Sequence, residues 1–202
     1  MRTFLRDNGL TIVLMAIFLA CLFGMGVAGF VSHSEELRAH QLPDQSVIAY
    51  LLSGAFLSAL FENWESEFLQ MAAYVGLTAF LFQRGSAESR DPDHSGEHTI
   101  MRRGWLYAYS LGLALAALFA TSWIIHFVAS FRDATADALR HGEPPPDMLG
   151  YLADAGFWFE SFQNWQSEFL STAVLVVLSI FLRFHGSPES KDVDDPDAKT
   201  GK

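Results

Sequence analysis

A nine-residue stretch occurs twice in this 202-residue chain: Phe61-Glu62-Asn63-Trp64-Glu65-Ser66-Glu67-Phe68-Leu69 returns as Phe162-Gln163-Asn164-Trp165-Gln166-Ser167-Glu168-Phe169-Leu170. Seven of the nine positions are identical, at an offset of 101 residues. The same register pairs Leu5 with Leu106, Phe18 with Phe119, Val27 with Val128, Tyr50 with Tyr151 and Phe56 with Phe157. A register kept over so much chain implies a duplication. The fold must then be two copies of one smaller substructure.

Each copy opens on a long apolar run. Gly9 to Val31 holds 23 residues without a charge, and Gly104 to Phe131 is its counterpart, with His126 facing Met25 in the register. At ~1.5 Å per helical residue such a run crosses the ~30 Å of a bilayer core. Arg2, Arg6 and the small residues Val27-Ala28-Gly29 also fit a secretory leader. The internal counterpart argues against that, because a cleaved leader has no reason to match a later helix. Charged residues make up 18% of the chain, against about 25% in soluble domains, and they cluster between the apolar runs. The net charge of −10 and the lack of a basic stripe exclude a nucleic-acid partner. Cys21 is the sole cysteine, so no internal disulfide or cysteine zinc site can form, and it reads as an inert packed thiol.

The expected fold is an all-α membrane protein with four transmembrane helices, arranged as two parallel two-helix repeats. Each repeat has an extra interfacial or half-inserted helix before its second crossing. The first repeat covers 1–90, with spans at 9–31 and 63–83 and the interfacial helix at 47–61. A cytoplasmic linker follows at 91–101. The second repeat covers 102–191, with spans at 104–131 and 164–184 and the interfacial helix at 148–162. Residues 192–202 read as a disordered polar tail. Ser32 to Ser46 and Asp133 to Asp147 read as polar connections broken by Pro43 and Pro144-Pro145-Pro146. Phe157-Trp158-Phe159 and the motif tryptophans suit an aromatic belt. Ten of the 13 lysines and arginines fall on the side of the termini and linker; Arg38, Arg132 and Arg140 face the other. That bias puts both termini in the cytoplasm of a multi-pass protein. The halves then share one orientation and are related by a pseudo-two-fold axis along the membrane normal.

The repeated polar positions Asn63, Trp64, Ser66 and Glu67, with Asn164, Trp165, Ser167 and Glu168, are the first site candidates. On a helix the Asn, Ser and Glu of each copy share a face. A carboxylate at the membrane rim is a site candidate by default. The competing structural account makes Asn63 an N-cap with acids in the first turn. Glu62 and Glu65 are matched by Gln163 and Gln166, so the duplication does not single them out. A second constellation pairs Glu36 with His40 and Asp137 with His141, each carboxylate and imidazole at i, i+4. Two ligands per half could hold a divalent metal, though an exposed ion pair is the simpler account. His126 reads as a packed, hydrogen-bonded intramembrane histidine, Glu160 as an acid facing interfacial water, and Gly24, Gly26 and Gly29 as points of close helix contact.

The doubled Asn-Trp-x-Ser-Glu-Phe-Leu, each copy followed by Gly-Ser-x-Glu-Ser, resembles a family of small bacterial inner-membrane proteins known only as a domain of unknown function. The resemblance implies a bacterial plasma-membrane setting and no particular activity. No phosphate-binding loop, dinucleotide fingerprint, HExxH or GxSxG occurs. The leading expectation is a non-enzymatic protein that conducts a small ion or solute, or serves as a structural subunit, with no resident cofactor. A pore of this size would suit a homo-oligomer. Two alternatives stand beside it. One is a metal-dependent membrane enzyme with Glu67, Glu168, His40 and His141 as ligands. The other is an accessory subunit of a larger membrane complex.

Overall fold

Short polar side chains set the helix starts. Ser46 Oγ accepts from the Ala49 amide, and Asp147 Oδ1 accepts from the Gly150 amide. Seven residues further on the device is used again: Ser53 Oγ accepts from the Phe56 amide, and Asp154 Oδ1 accepts from the amides of Gly156 and Phe157. Such N-caps satisfy amides that have no partner inside the helix. The computed structural model describes residues 2–94 and 104–201. Its elements are α1 (Arg2–Asp7), α2 (Gly9–Ala39), α3 (Val47–Leu51), α4 (Gly54–Phe80), α5 (Trp105–Ala108), α6 (Ser110–Arg140), α7 (Met148–Leu152) and α8 (Ala155–Phe181), with a 3-10 turn at Pro92–His94. No strand occurs among the described residues. The linker residues 95–101, with Arg102, Arg103 and Lys202, lie outside them.

Several expected boundaries move. The interfacial segment 47–61 is not one helix: α3 ends at Leu51 and the cap at Ser53 restarts the chain as α4. Residues 148–162 divide in the same way into α7 and the start of α8. Asn63 therefore lies well inside α4, which overturns its reading as an N-cap. The first apolar helix runs past Val31 to Ala39, and its counterpart runs past Phe131 to Arg140. Nothing in Ser32–Ala39 breaks a helix, and the stop is set later by a left-handed residue. Gln41 has φ 57°, with Leu42 N–H donating to Leu37 O at 2.8 Å. Gly142 has φ 73°, with Glu143 N–H donating to Ala138 O at 2.8 Å. Both are Schellman closures.

The chain divides into two units, Met1–Ala59 with Val128–Pro145, and Leu60–Phe127 with Pro146–Lys202. In the first unit Tyr50 is buried against Phe30, His33 and Phe56, with ring centroids 5.3–5.9 Å apart. A Cβ on Gly29 would lie 2.1 Å from the Tyr50 hydroxyl, so the glycine is what lets that ring lie against α2. In the second unit Phe157 is the centre of an aromatic cluster with Trp123, Phe127, Tyr151 and Trp158. It is fully packed among these rings.

The second unit also holds the chain's end, and here the expectation of a disordered tail differs from the structure. Lys191 is buried, and its Nζ donates toward five carbonyls: Gly85 (2.6 Å), Asp197 and Lys199 (3.0 Å), Ile180 (3.2 Å) and Pro196 (3.5 Å). Gly201 N–H donates to Ser86 O at 2.9 Å. Lys199 donates to Asp195 at 2.7 Å and holds that carboxyl below its ordinary value of 3.8. A charged tail can be ordered without an apolar core when a buried ammonium gathers its carbonyls.

Burial is inverted relative to a water-soluble protein. Among the described residues six buried side chains are apolar and eleven are polar or charged, while the large apolar residues are mostly exposed. Along α2 only Ser34 and Leu37 are buried; Leu10, Leu14, Ile17 and Phe23 lie open. Helices α2 and α6 are each long and apolar enough to cross a membrane.

Candidate functional site

In the second unit, three helices contribute polar side chains to one place. On α6, Ser122 and His126 fall four residues apart and are both buried. On α4, Glu62, Glu65 and Ser66 share a face by the same spacing. On α8, Phe157, Ser161 and Trp165 succeed one another at i, i+4 and i+8, with Glu160 and Asn164 beside them.

Glu65 and His126 are the centre, and neither is exposed to solvent at all. His126 Nδ1 lies 2.9 Å from Glu65 Oε2. The other oxygen, Oε1, accepts from Ser161 Oγ at 3.1 Å and from Trp165 Nε1 at 3.2 Å. With Nδ1 turned to Glu65, the second ring nitrogen faces away from that carboxyl. That Nε2 is buried and has no hydrogen-bond partner. Its nearest carboxylate oxygen is Glu160 Oε2 at 3.9 Å, too far for a hydrogen bond. Half-buried Glu62 accepts from Asn164 Nδ2. One ligand atom each from Glu62, His126 and Glu160 lies within 4.8 Å of the other two. Among the described residues this is the trio of His, Cys, Asp or Glu that meets the geometry of a metal site.

The repeated motif residues divide between support and surface. Trp165 and Asn164 serve the cluster directly, bonding Glu65 and Glu62. Ser66 is buried and Ser167 exposed, yet each donates to the carbonyl three residues back, Asn63 O and Asn164 O, at 2.8 Å. Trp64 packs edge-on against Phe61. Asn63 and Glu67 are exposed and Glu168 is half-buried, and Glu67 lies near enough to Glu168 to feel its charge.

The second constellation lies in the first unit. The rings of His40 and His141 approach to 6.2 Å, edge to face. His141 Nδ1 is 2.9 Å from the Asp137 carbonyl and 3.5 Å from its carboxylate. Glu36 accepts from Arg140 at 3.4 Å and lies 3.9 Å from His33. Glu36, Asp137 and His141 are all more than half exposed, as surface ion pairs are. The alternative ligand set is split between units, His40 and His141 in the first, Glu67 and Glu168 in the second.

Against known proteins, a family model described as Domain of unknown function (DUF6766) matches residues 1–202. The chain belongs to that family. No curated protein matches it, and no solved structure does.

That cluster was hidden from sequence comparison by its asymmetry. In the 101-residue register Glu62 and Glu65 face glutamines, His126 faces Met25 and Glu160 faces Ala59. Searching for what the halves share discards all four. The usable signal was the reverse: ionisable groups introduced into one copy of an apolar scaffold.

Proposed function

We propose that this DUF6766 chain is a non-enzymatic, multi-pass inner-membrane protein that passes a small cation through the cluster of Glu62, Glu65, His126 and Glu160. The observation that carries this reading is the complete burial of Glu65 and His126 among helices whose outer faces are apolar. Ionisable groups are costly in such surroundings and are kept where they line an ion path or a relay.

The architecture belongs to the same proposal. Two like-oriented hairpins, each with a short helix before its return crossing, fit the matched element bounds. Adding 101 to the limits of α2, α3 and α4 gives those of α6, α7 and α8. The loops agree as well: Ser89 Oγ accepts from Gln83 N–H and Ser190 Oγ from Phe184 N–H, both at 2.9 Å. At 27 residues, α4 and α8 are long enough to span, and their motif acids and amides are what lower their apolar character. The bacterial inner membrane and cytoplasmic termini rest on the family resemblance and the lysine and arginine bias.

The test is cation flux into proteoliposomes under an imposed potential, read with a pH dye and then with monovalent-cation dyes. Wild-type vesicles should exceed empty ones, and His126→Ala should return flux to the empty level. Wild-type vesicles no leakier than empty ones would end the conduction reading.

A further inference from the structure

We infer that Glu62, His126 and Glu160 form a binding site for one divalent transition-metal ion of the manganese-to-zinc group, with Glu65 as the positioning residue behind His126. This deepens the proposed cation reading and rests on it for the cluster's role, but its geometry stands separately.

Three observations converge. First, the imidazole is prepared as a ligand. A metal-bound histidine commonly gives its other ring N–H to a carboxylate, which fixes the tautomer and the ring plane. His126 has Nδ1 2.9 Å from Glu65 Oε2, in place for that bond, and Glu65 is itself fixed by Ser161 and Trp165. Second, Nε2 is buried without a partner. A polar nitrogen left so is costly unless something occupies its lone pair. It points toward Glu160, whose nearest oxygen is 3.9 Å away. Third, the carboxyl groups of Glu62, Glu65 and Glu160 gather around the one imidazole of His126, a set of oxygen ligands of the kind that holds a divalent ion.

The size is suitable. The ligand atoms lie within 4.8 Å of each other, and tetrahedral ligands at ~2.1 Å from zinc are about 3.4 Å apart. The difference is covered by rotating Glu160, whose side chain is half exposed. The same exposure supplies the entry path. Two carboxylates and one imidazole suit zinc, iron or manganese, and the absence of sulfur ligands argues against copper(I). Three protein ligands leave a coordination position open.

The experiment titrates the full-length chain, purified in mild detergent and stripped with chelator, with Co²⁺. Visible d–d absorption reports nitrogen and oxygen coordination. We expect one Co²⁺ per chain, displaced by Zn²⁺. Glu62→Gln and Glu160→Gln should each weaken binding at least tenfold, and Glu65→Gln should weaken it about 10–100-fold through the ring it orients. Glu67→Gln should bind as wild type. His126→Ala should abolish binding; if it fails to fold, the exposed Glu160→Gln still decides the matter. Substoichiometric Co²⁺ on folded wild type, or full binding by Glu62→Gln and Glu160→Gln, would overturn the inference. Failure here with flux that still depends on His126 sinks the metal alone. Metal binding without flux sinks the conduction reading alone.

Discussion

Glu65 shows how one side chain can be both scaffold and chemistry. All its hydrogen bonds are internal, to His126, Ser161 and Trp165. Removing one partner of a buried, hydrogen-bonded pair costs about 3–5 kcal/mol, because the other groups remain desolvated. Glu65→Ala should therefore lower stability by that order, measured as loss of helicity on titrating mixed micelles with SDS. Glu65→Gln keeps the volume and should lose less. If Glu65→Ala unfolds with wild-type behaviour, the pair is not holding the three helices. His126 was legible from its position as a packed, hydrogen-bonded histidine. Its partner was not, since only tertiary packing of α4 against α6 brings residues 65 and 126 together.

For the helices, most of the pattern lies in local chemistry. The apolar runs, the caps at Ser46, Asp147 and Asp154, and the left-handed Gly142 can all be found by reading along the chain. The helix end at Gln41 was harder to see, because a non-glycine residue occupies the left-handed position there. That conformation costs an L-residue roughly 1–2 kcal/mol. Gln41→Gly should stabilise by about 1 kcal/mol. Gly142→Ala should destabilise by a similar amount. The same SDS titration reads both, and equal midpoints for the two variants would mean that these closures do not limit stability. The split at Leu52–Ser53 is invisible in the sequence for a different reason. Apolar residues continue through it, and periodicity alone does not register a cap inside a continuous run.

Across the described residues, most large apolar side chains are exposed and most of the few buried side chains are polar, which a sequence expresses as long uncharged runs. The presence of the long apolar helices follows from those runs; where they end, and which residues meet between distant helices, does not. The proposed arrangement of two like-oriented hairpins makes a topological prediction. In a Cys21→Ser background, single cysteines near both ends should react with membrane-impermeant maleimide from the cytoplasmic face. Cysteines at Ser46 and Asp147 should react from the opposite face. Labelling of the two ends from opposite faces would refute the arrangement.

The anchoring of the last residues has a practical outcome for that mapping. Gly201 is already tied to Ser86, and Lys199 and Asp197 lend their carbonyls to the Lys191 ammonium. A fluorescent or enzymatic reporter joined directly to the final residue would begin one step from a fixed point. Its bulk would compete with the docking of that segment. A flexible spacer should precede any such fusion, and a reporter at the amino end avoids the conflict.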